Sequence, residues 1–142
     1  MTQGNPQQPQ SAVSAFPPDL QAASASKEDR TLAMIGHLLG LTSFVGPLIL
    51  LLLKKDGANK FILFHIKQVL FWEIAVIVAV IALAILASLI GLVTGGLGCV
   101  CMPLPFLLFL GSGIYNVIGA IQVNGGKDFE YIVVGPWVRK SI

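Results

Sequence analysis

The feature that most constrains this chain is its longest uncharged run, because 53 consecutive residues from Ile74 to Gly126 contain no Asp, Glu, Lys or Arg. A second uncharged run extends from Thr31 to Leu53. Charged residues make up 11% of the chain, against about 25% in ordinary soluble domains. A soluble fold of this size exposes most of its surface to water and cannot leave half its length uncharged. The pattern indicates an integral membrane protein and excludes a soluble enzyme, a disordered regulator and a nucleic-acid-binding protein.

The N-terminal 25 residues differ in composition from the rest of the chain. Residues 1–25 are rich in Gln, Pro, Ser and Ala and show no periodic apolar stripe, which predicts a disordered tail. Residues 26–142 then form the membrane-embedded helical domain. The first cation is Lys27, so the basic start of a cleavable signal peptide is missing and the first apolar run should remain as an anchor.

The first apolar segment begins after a helix start at Ser26, which can act as an N-cap. Its 23 uncharged residues, Thr31–Leu53, would form a helix of roughly 34 Å, enough to cross a hydrocarbon core of about 30 Å. Gly46 and Pro47 lie inside it and predict a kink. The alternative is that the segment is split into two shorter helices that form a re-entrant hairpin.

A second helix is predicted to begin at the membrane surface, with Asn59 as its N-cap. Lys60–Gln68 has lysines and phenylalanines at helical spacing. We interpret this stretch as amphipathic, with its lysines in the headgroup region and Phe64 and Phe71 directed towards the acyl chains. It continues into a second span over about Val69–Val93.

The 53-residue uncharged run is too long for one span, since it would reach roughly 80 Å as a helix. Thr94–Gly98 is the cluster that can turn the chain, which predicts a third span over about Cys99–Val123. Pro103 and Pro105 fall in its first turns, where a missing amide donor matters least. The aromatic and basic residues from 127 to 142 are typical of a membrane interface. The predicted fold is therefore all-α, with three transmembrane helices and one interfacial amphipathic stretch.

The cations predict an orientation. In a three-span protein, seven of the nine Lys and Arg residues share a side with the C-terminus and two lie with the N-terminus, which places the C-terminus inside and the N-terminus outside. A re-entrant first segment would place both ends inside. We expect a multi-pass protein of the bacterial inner membrane that contacts the lipid bilayer, with these interfacial basic residues: Lys54, Lys55, Lys60 and Lys67.

Three polar residues in or near the predicted spans are the candidate functional residues: His37, Glu73 and Asn116. Ionisable groups at membrane depth are functional hypotheses by default. The competing interpretation is structural: His37 as a hydrogen-bonded packing residue and Asn116 as a residue that forms an interhelical hydrogen bond.

Two further contacts are predicted near the membrane surface. Glu73 lies within two helical turns of Lys67, so the structural interpretation pairs it with Lys54 or Lys55 at the end of the first segment. His65 lies in the amphipathic stretch and is interpreted as a headgroup or carboxylate contact.

No catalytic constellation is visible in the sequence, so we expect no catalytic, cofactor-binding or metal-binding residues and no enzyme activity. Cys99 and Cys101 lie too close for an unstrained disulfide and are too few for a zinc site. The small-residue pairs Gly36/Gly40 and Gly91/Gly95 allow close helix packing, either within the chain or between copies in a homo-oligomer.

Several stretches in order resemble a known family. Ala33–Gly40, Gly46–Ile49 and Leu53–Asp56 are similar to the opening of a family of small bacterial membrane proteins of unknown function. Phe61–Ile74 resembles the stretch that leads into its second span, and Gly119–Lys127 resembles the close of its last span. These proteins are regarded as distant relatives of the Tic twenty component of the chloroplast inner-envelope import machinery. The resemblance implies an all-helical integral membrane protein and, by analogy, a part in protein translocation; it supplies no catalytic residue.

The sequence therefore predicts a small polytopic, non-enzymatic membrane protein that acts as a subunit or scaffold of a membrane complex, with other membrane proteins or a second copy as partners and no nucleic acid. The alternative is an oligomeric channel or carrier whose path is lined by His37, Glu73 and Asn116.

Overall fold

The structure is a computed structural model that describes residues 16–54 and 56–142. In this part of the chain all regular structure is helical, which confirms the all-α prediction. Three short 3-10 turns cover Pro18–Leu20, Gly40–Thr42 and Leu97–Cys101. The five α-helices are α1 (Lys27–Leu39), α2 (Val45–Lys54), α3 (Lys60–Val93), α4 (Pro103–Asn124) and α5 (Gly135–Arg139).

Two helical segments are long and apolar enough to cross a membrane: α3, with 34 residues, and the segment 97–124, which joins the last 3-10 turn to α4. Only 11% of the most apolar stretch of each is buried, unlike the core helix of a soluble protein. The prediction of three spans is wrong. The first apolar segment is divided between α1, with 13 residues, and α2, with 10, or about 20 Å and 15 Å of helix.

The first segment breaks because its turn comes before Pro47. The Gly40–Thr42 turn ends at Ser43, whose φ of 63° is incompatible with a continuing helix. Pro47 is the third residue of α2, where no intrahelical amide donor is needed. A kinked single helix over Thr31–Leu53 is therefore wrong, and the alternative of two shorter helices matches the structure.

The helices α1 and α2 form a hairpin against α3. Gly36 faces Ile66 and Gly40 faces Val69, so α1 runs parallel to the first turns of α3. Leu50 of α2 also approaches Gly36, which means that α2 returns in the opposite direction. The start of α1, the end of α2 and the start of α3 thus lie at one end of the molecule.

The predicted start and continuity of α3 are confirmed, but its predicted amphipathic face is not. Asn59 Oδ1 accepts a hydrogen bond from the Ile62 amide at 3.0 Å, and the helix continues unbroken to Val93. Phe61 and Phe64 are buried within the protein. The first turns of α3 are therefore covered by other parts of the chain, and Phe64 is not directed towards acyl chains.

The turn between α3 and α4 confirms the predicted reversal at Thr94–Gly98. Gly95 and Gly96 both adopt positive φ values, which glycine tolerates without strain. Beyond the first turns after Glu73, where Val76 is still buried, the two helices extend away from the rest of the protein. We call residues 74–111 the distal hairpin; its apolar side chains are largely exposed, reaching 82% at Leu92.

The opposite end of the molecule, which we call the packed end, consists of residues 16–73 and 112–142 in their described parts. Residues 1–15 lie outside the described residues, so their predicted disorder stays a prediction. The other part of that predicted tail, 16–25, packs here instead, with Leu20 and Ala22 buried. Phe129 and Tyr131 are buried too, which corrects their predicted place at the membrane interface.

Candidate functional site

The packed end encloses a cluster of polar side chains contributed by α1, α3, α4 and the C-terminal segment. Six of its eight members are the buried polar residues of the described chain, each at most 4% exposed. We call this set the polar cluster: His37, His65, Gln68, Trp72, Glu73, Ser112, Asn116 and Tyr131.

One half of the cluster is centred on the Glu73 carboxylate. Its Oε1 accepts hydrogen bonds from Ser112 Oγ at 3.0 Å and from Asn116 Nδ2 at 2.7 Å. Trp72 Nε1 donates to Ser112 Oγ at 2.8 Å. The Tyr131 hydroxyl donates to Asn116 Oδ1 in a short hydrogen bond. Asn116 therefore links the carboxylate on α3 to the C-terminal segment.

The other half of the cluster contains both histidines of the chain. His37 Nδ1 lies 3.0 Å from the Tyr131 hydroxyl, and His37 Nε2 lies 3.2 Å from His65 Nδ1. Gln68 Nε2 lies 2.8 Å from His65 Nδ1. The Gln68 amide also donates to the Phe129 carbonyl at 3.4 Å and accepts from the Tyr131 amide at 3.3 Å. Four parts of the chain thus meet in one hydrogen-bonded network.

Glycines bring the helices close enough for these contacts. A Cβ atom on Gly40 would lie 2.7 Å from Asn116 Nδ2, and one on Gly119 would lie 2.9 Å from His37 Nδ1. The absence of a side chain at both positions lets α1 and α4 approach closely. The Gly36/Gly40 pair is used for packing within this chain, and Gly91 likewise packs against Gly98. A homo-oligomer contact through these pairs stays a prediction.

Burial dominates the electrostatics of this end. It raises the pKa of the Tyr131 hydroxyl, and the nearby negative charge of Glu73 acts in the same direction. Burial also raises the pKa of Glu130, although Arg139, 3.4 Å away, opposes that shift. For His37, burial lowers the pKa to about 3, because a charged imidazole loses its hydration.

The structure brings together all three candidate residues, His37, Glu73 and Asn116. The predicted hydrogen bonds of His37 and of Asn116 across helices are present. Their functional role, including a path through an oligomer, stays a prediction. All three side chains are packed inside the protein, at 2% exposure or less.

Two predicted contacts differ from the structure. Glu73 takes its hydrogen bonds from α4 and Lys54 is exposed at the end of α2, so the predicted pairing with Lys54 is wrong. The alternative pairing with Lys55 lies outside the described residues. His65 is 1% exposed and contacts the polar cluster, so it cannot touch a headgroup. Of the predicted basic residues, Lys60 forms an ion pair with Asp19 at 3.2 Å.

Sequence reasoning missed four members of the cluster: Gln68, Trp72, Ser112 and Tyr131. Gln68 follows His65 by three residues and so shares its helix face, a signal that was available. Tyr131 lies in a segment whose aromatic and basic composition is typical of an interface. Its position in the cluster depends on contacts more than 60 residues distant in sequence, such as that with Gln68.

The chemistry available to the cluster is proton exchange and hydrogen bonding. Among residues 16–54 and 56–142, no group of three or more His, Cys, Asp or Glu side chains could hold a metal ion. The two cysteines are free and lie at the distal turn, remote in sequence from the cluster.

Fold and cluster together define a class: an all-helical chain with two candidate membrane spans and an enclosed polar network at one end. The chain belongs to the MamF/MmsF family, described as the magnetosome magnetite crystal formation protein family, whose model matches residues 28–138. No curated protein and no solved structure matches the chain. The match corrects the resemblance stated above: the family is a named one, and no relationship to the Tic twenty component is shown. Protein translocation is accordingly not supported.

Proposed function

We propose that this protein is a non-enzymatic scaffold or subunit of a membrane complex that contributes to magnetite crystal formation at the magnetosome. The observation that carries the proposal is the family match over residues 28–138, which covers α1 to α4 and most of α5. A membrane location fits the two candidate spans.

The distal hairpin supports a role through contacts within the membrane. Its residues 74–93 would span about 30 Å as a helix, which equals the thickness of a hydrocarbon core. Side chains such as Val93, 84% exposed, and Phe106, 66% exposed, have no protein around them in the chain alone. Lipid, a second copy or another membrane protein would cover them.

The arrangement of charges supports a topology with two spans and both ends on one side. The start of α3 and the end of α4 lie at the packed end, and all nine cations lie outside the uncharged distal run. By the positive-inside rule the packed end faces the cytosol. The α1–α2 hairpin packs on the part of α3 before Glu73, so in this topology it lies on the same side as both ends, at the cytosolic edge of the two spans.

The state of the polar cluster supports a role without catalysis. Glu73 and both histidines are at most 2% exposed and are hydrogen-bonded within the polar cluster. A catalytic group must contact its substrate, and side chains buried to this degree present almost no surface to one.

The test is complementation in a magnetite-forming host whose own copy of the gene has been deleted. We expect crystals of altered size or shape without the protein, restoration by the wild-type chain, and recovery of the protein with the magnetosome fraction. In mild detergent it should migrate as a complex larger than one copy. Unaltered crystals after deletion would contradict the role in crystal formation, and a solitary monomer would contradict the scaffold.

A further inference from the structure

We propose that the two histidines of the polar cluster form a proton-binding site. In this site His37 is an imidazolium that donates from Nε2 to His65 Nδ1, and the Glu73 carboxylate balances its charge. Some atoms of the network can only donate or only accept a hydrogen bond, and these atoms determine the direction of the other bonds.

The first fixed atom is the Trp72 indole nitrogen, which can only donate. It donates to Ser112 Oγ, so the single hydroxyl hydrogen of Ser112 is free to donate to Glu73 Oε1 at 3.0 Å. Asn116 Nδ2 donates to the same oxygen. Two donors converge on Glu73 Oε1, which is the arrangement that stabilises an ionised carboxylate.

The direction of the remaining bonds follows from Asn116. Since its nitrogen faces Glu73, its oxygen faces the Tyr131 hydroxyl and accepts that group's only hydrogen. His37 Nδ1, 3.0 Å from the same hydroxyl oxygen, must therefore carry a hydrogen and donate. A neutral His37 with a hydrogen on Nδ1 has a lone pair on Nε2.

The second set of fixed atoms belongs to the backbone around Gln68. Its Oε1 accepts from the Tyr131 amide, which can only donate, and its Nε2 donates to the Phe129 carbonyl, which can only accept. The amide orientation is thereby assigned by the network. Gln68 Nε2 then donates to His65 Nδ1 as well, so that nitrogen carries a lone pair.

The contact between the two histidines joins two nitrogens that these bonds leave without a hydrogen. With both rings neutral, lone pairs on His37 Nε2 and His65 Nδ1 would face each other across 3.2 Å. One added proton on His37 Nε2 converts this repulsion into a hydrogen bond. A neutral pair requires turning Gln68, which loses its bonds to backbone partners of fixed polarity, or turning Asn116 together with moving the proton from His37 to Glu73.

The surroundings of the pair contain one source of compensating charge. The titratable groups facing it are Glu73 from α3, Tyr115 from α4 and Tyr131 from the C-terminal segment; α2 is uncharged up to its last residue, Lys54. Glu73 is linked to His37 through Asn116 and Tyr131. Burial alone opposes the charge and lowers the pKa of His37 to about 3; the facing lone pair and the buried carboxylate favour the charge.

The chain contains only these two histidines, so nitrogen NMR of the full-length protein reads the site directly. The protein, labelled with 15N-histidine, purified without a polyhistidine tag and placed in lipid nanodiscs with a chelator, is measured at pH 7. We expect one imidazolium with hydrogens on both nitrogens and one neutral ring with its hydrogen on Nε2. Two neutral rings would overturn the proposal.

A metal ion between the rings would satisfy the same lone pairs. Spectra recorded with the chelator and after addition of Zn²⁺ distinguish a bound proton from a bound metal ion. Identical spectra with the imidazolium present support the proton. The result would contradict the proposal if Zn²⁺ removed hydrogens from both rings and the chelator returned both rings to their neutral forms. The site would then bind a metal ion.

The link to Glu73 is tested by Glu73→Gln, with Glu28→Gln as the control at an exposed position on α1. Glu73→Gln should remove most of the imidazolium signal at pH 7, and the control should leave it unchanged. If Glu73→Gln kept the full imidazolium signal, Glu73 would not be the group that balances the charge of His37. If that variant does not fold, raising the pH of the wild-type protein must still convert the imidazolium to a neutral ring.

Discussion

The packed end and the distal hairpin are built from the same two helices but are held together differently. In the packed end, α3 and α4 are joined by hydrogen bonds such as Asn116 to Glu73 and are covered by four other segments. In the distal hairpin the same helices expose most of their apolar side chains, and the close contact is that of Gly98 with Gly91 and Ala87. One helix can thus provide a specific interior over part of its length and a membrane-facing surface over the rest.

The largest effect is expected from removing the central link of the packed end. Asn116→Leu leaves the Glu73 carboxylate and the Tyr131 hydroxyl without their shared partner in a buried site. We expect a loss of about 3 kcal/mol or more in the free energy of unfolding, measured in detergent micelles. Asn124→Leu, an exposed position on the same helix, is the matched control and should change stability little. Equal effects of both variants would show that the hydrogen bonds of Asn116 do not stabilise the packed end.

A smaller effect is expected in the distal hairpin. A Cβ on Gly98 would lie 2.2 Å from the Ala87 carbonyl oxygen and 2.3 Å from the Gly91 amide nitrogen. Because backbone atoms cannot move aside singly, Gly98→Ala should force the helices apart at a cost of about 1–3 kcal/mol. The control, Gly111→Ala, meets nothing within 4 Å and should be neutral or slightly stabilising. A tolerated Gly98→Ala would show that the distal helices are not held in contact.

The pH dependence of stability should report on the packed end. Burial raises the pKa of Tyr131, so above about pH 10 the unfolded chain loses this proton while the folded chain keeps it. Stability is therefore retained below pH 10 and lost as the pH rises, by about 1.4 kcal/mol at pH 11. Tyr131→Phe should remove this part of the loss, and Tyr115→Phe should preserve it. A loss that is the same in Tyr131→Phe would place Tyr131 in contact with water.

The smallest effect is expected at the surface of the packed end. Lys60 and Asp19 form an ion pair at 3.2 Å with side chains 60% and 50% exposed. Asp19→Asn should lower the free energy of unfolding by at most about 0.5 kcal/mol, and less in high salt. A larger, salt-independent loss would mean that this pair fixes the segment 16–25 on α3.

Sequence reasoning succeeded where structure is determined locally. The caps at Ser26 and Asn59, the glycine turn after α3 and the apolar runs depend on neighbouring residues. Pro47 was ambiguous, because a proline is tolerated both at a kink and in the first turn of a new helix. The turn at Ser43, where φ is 63°, ends the first helix, so Pro47 lies in the first turn of a new helix.

The polar cluster shows what local reasoning could not reach. The three candidates His37, Glu73 and Asn116 could be selected because polar groups are rare in apolar runs. Their partners could not, since the Tyr131 hydroxyl bonds to His37 across 94 positions. The sequence predicts a span for the first segment because its length alone is sufficient to cross a membrane.

The most direct test of two spans with both ends on one side is a topology measurement. Reporter domains active only in the cytosol are fused to the N-terminus and to the C-terminus, and a third is inserted between Gly95 and Gly96 of the distal turn. We predict active reporters at both termini and an inactive one at the turn. A cytosolic C-terminus combined with an N-terminus on the other side would contradict this topology and restore a third span.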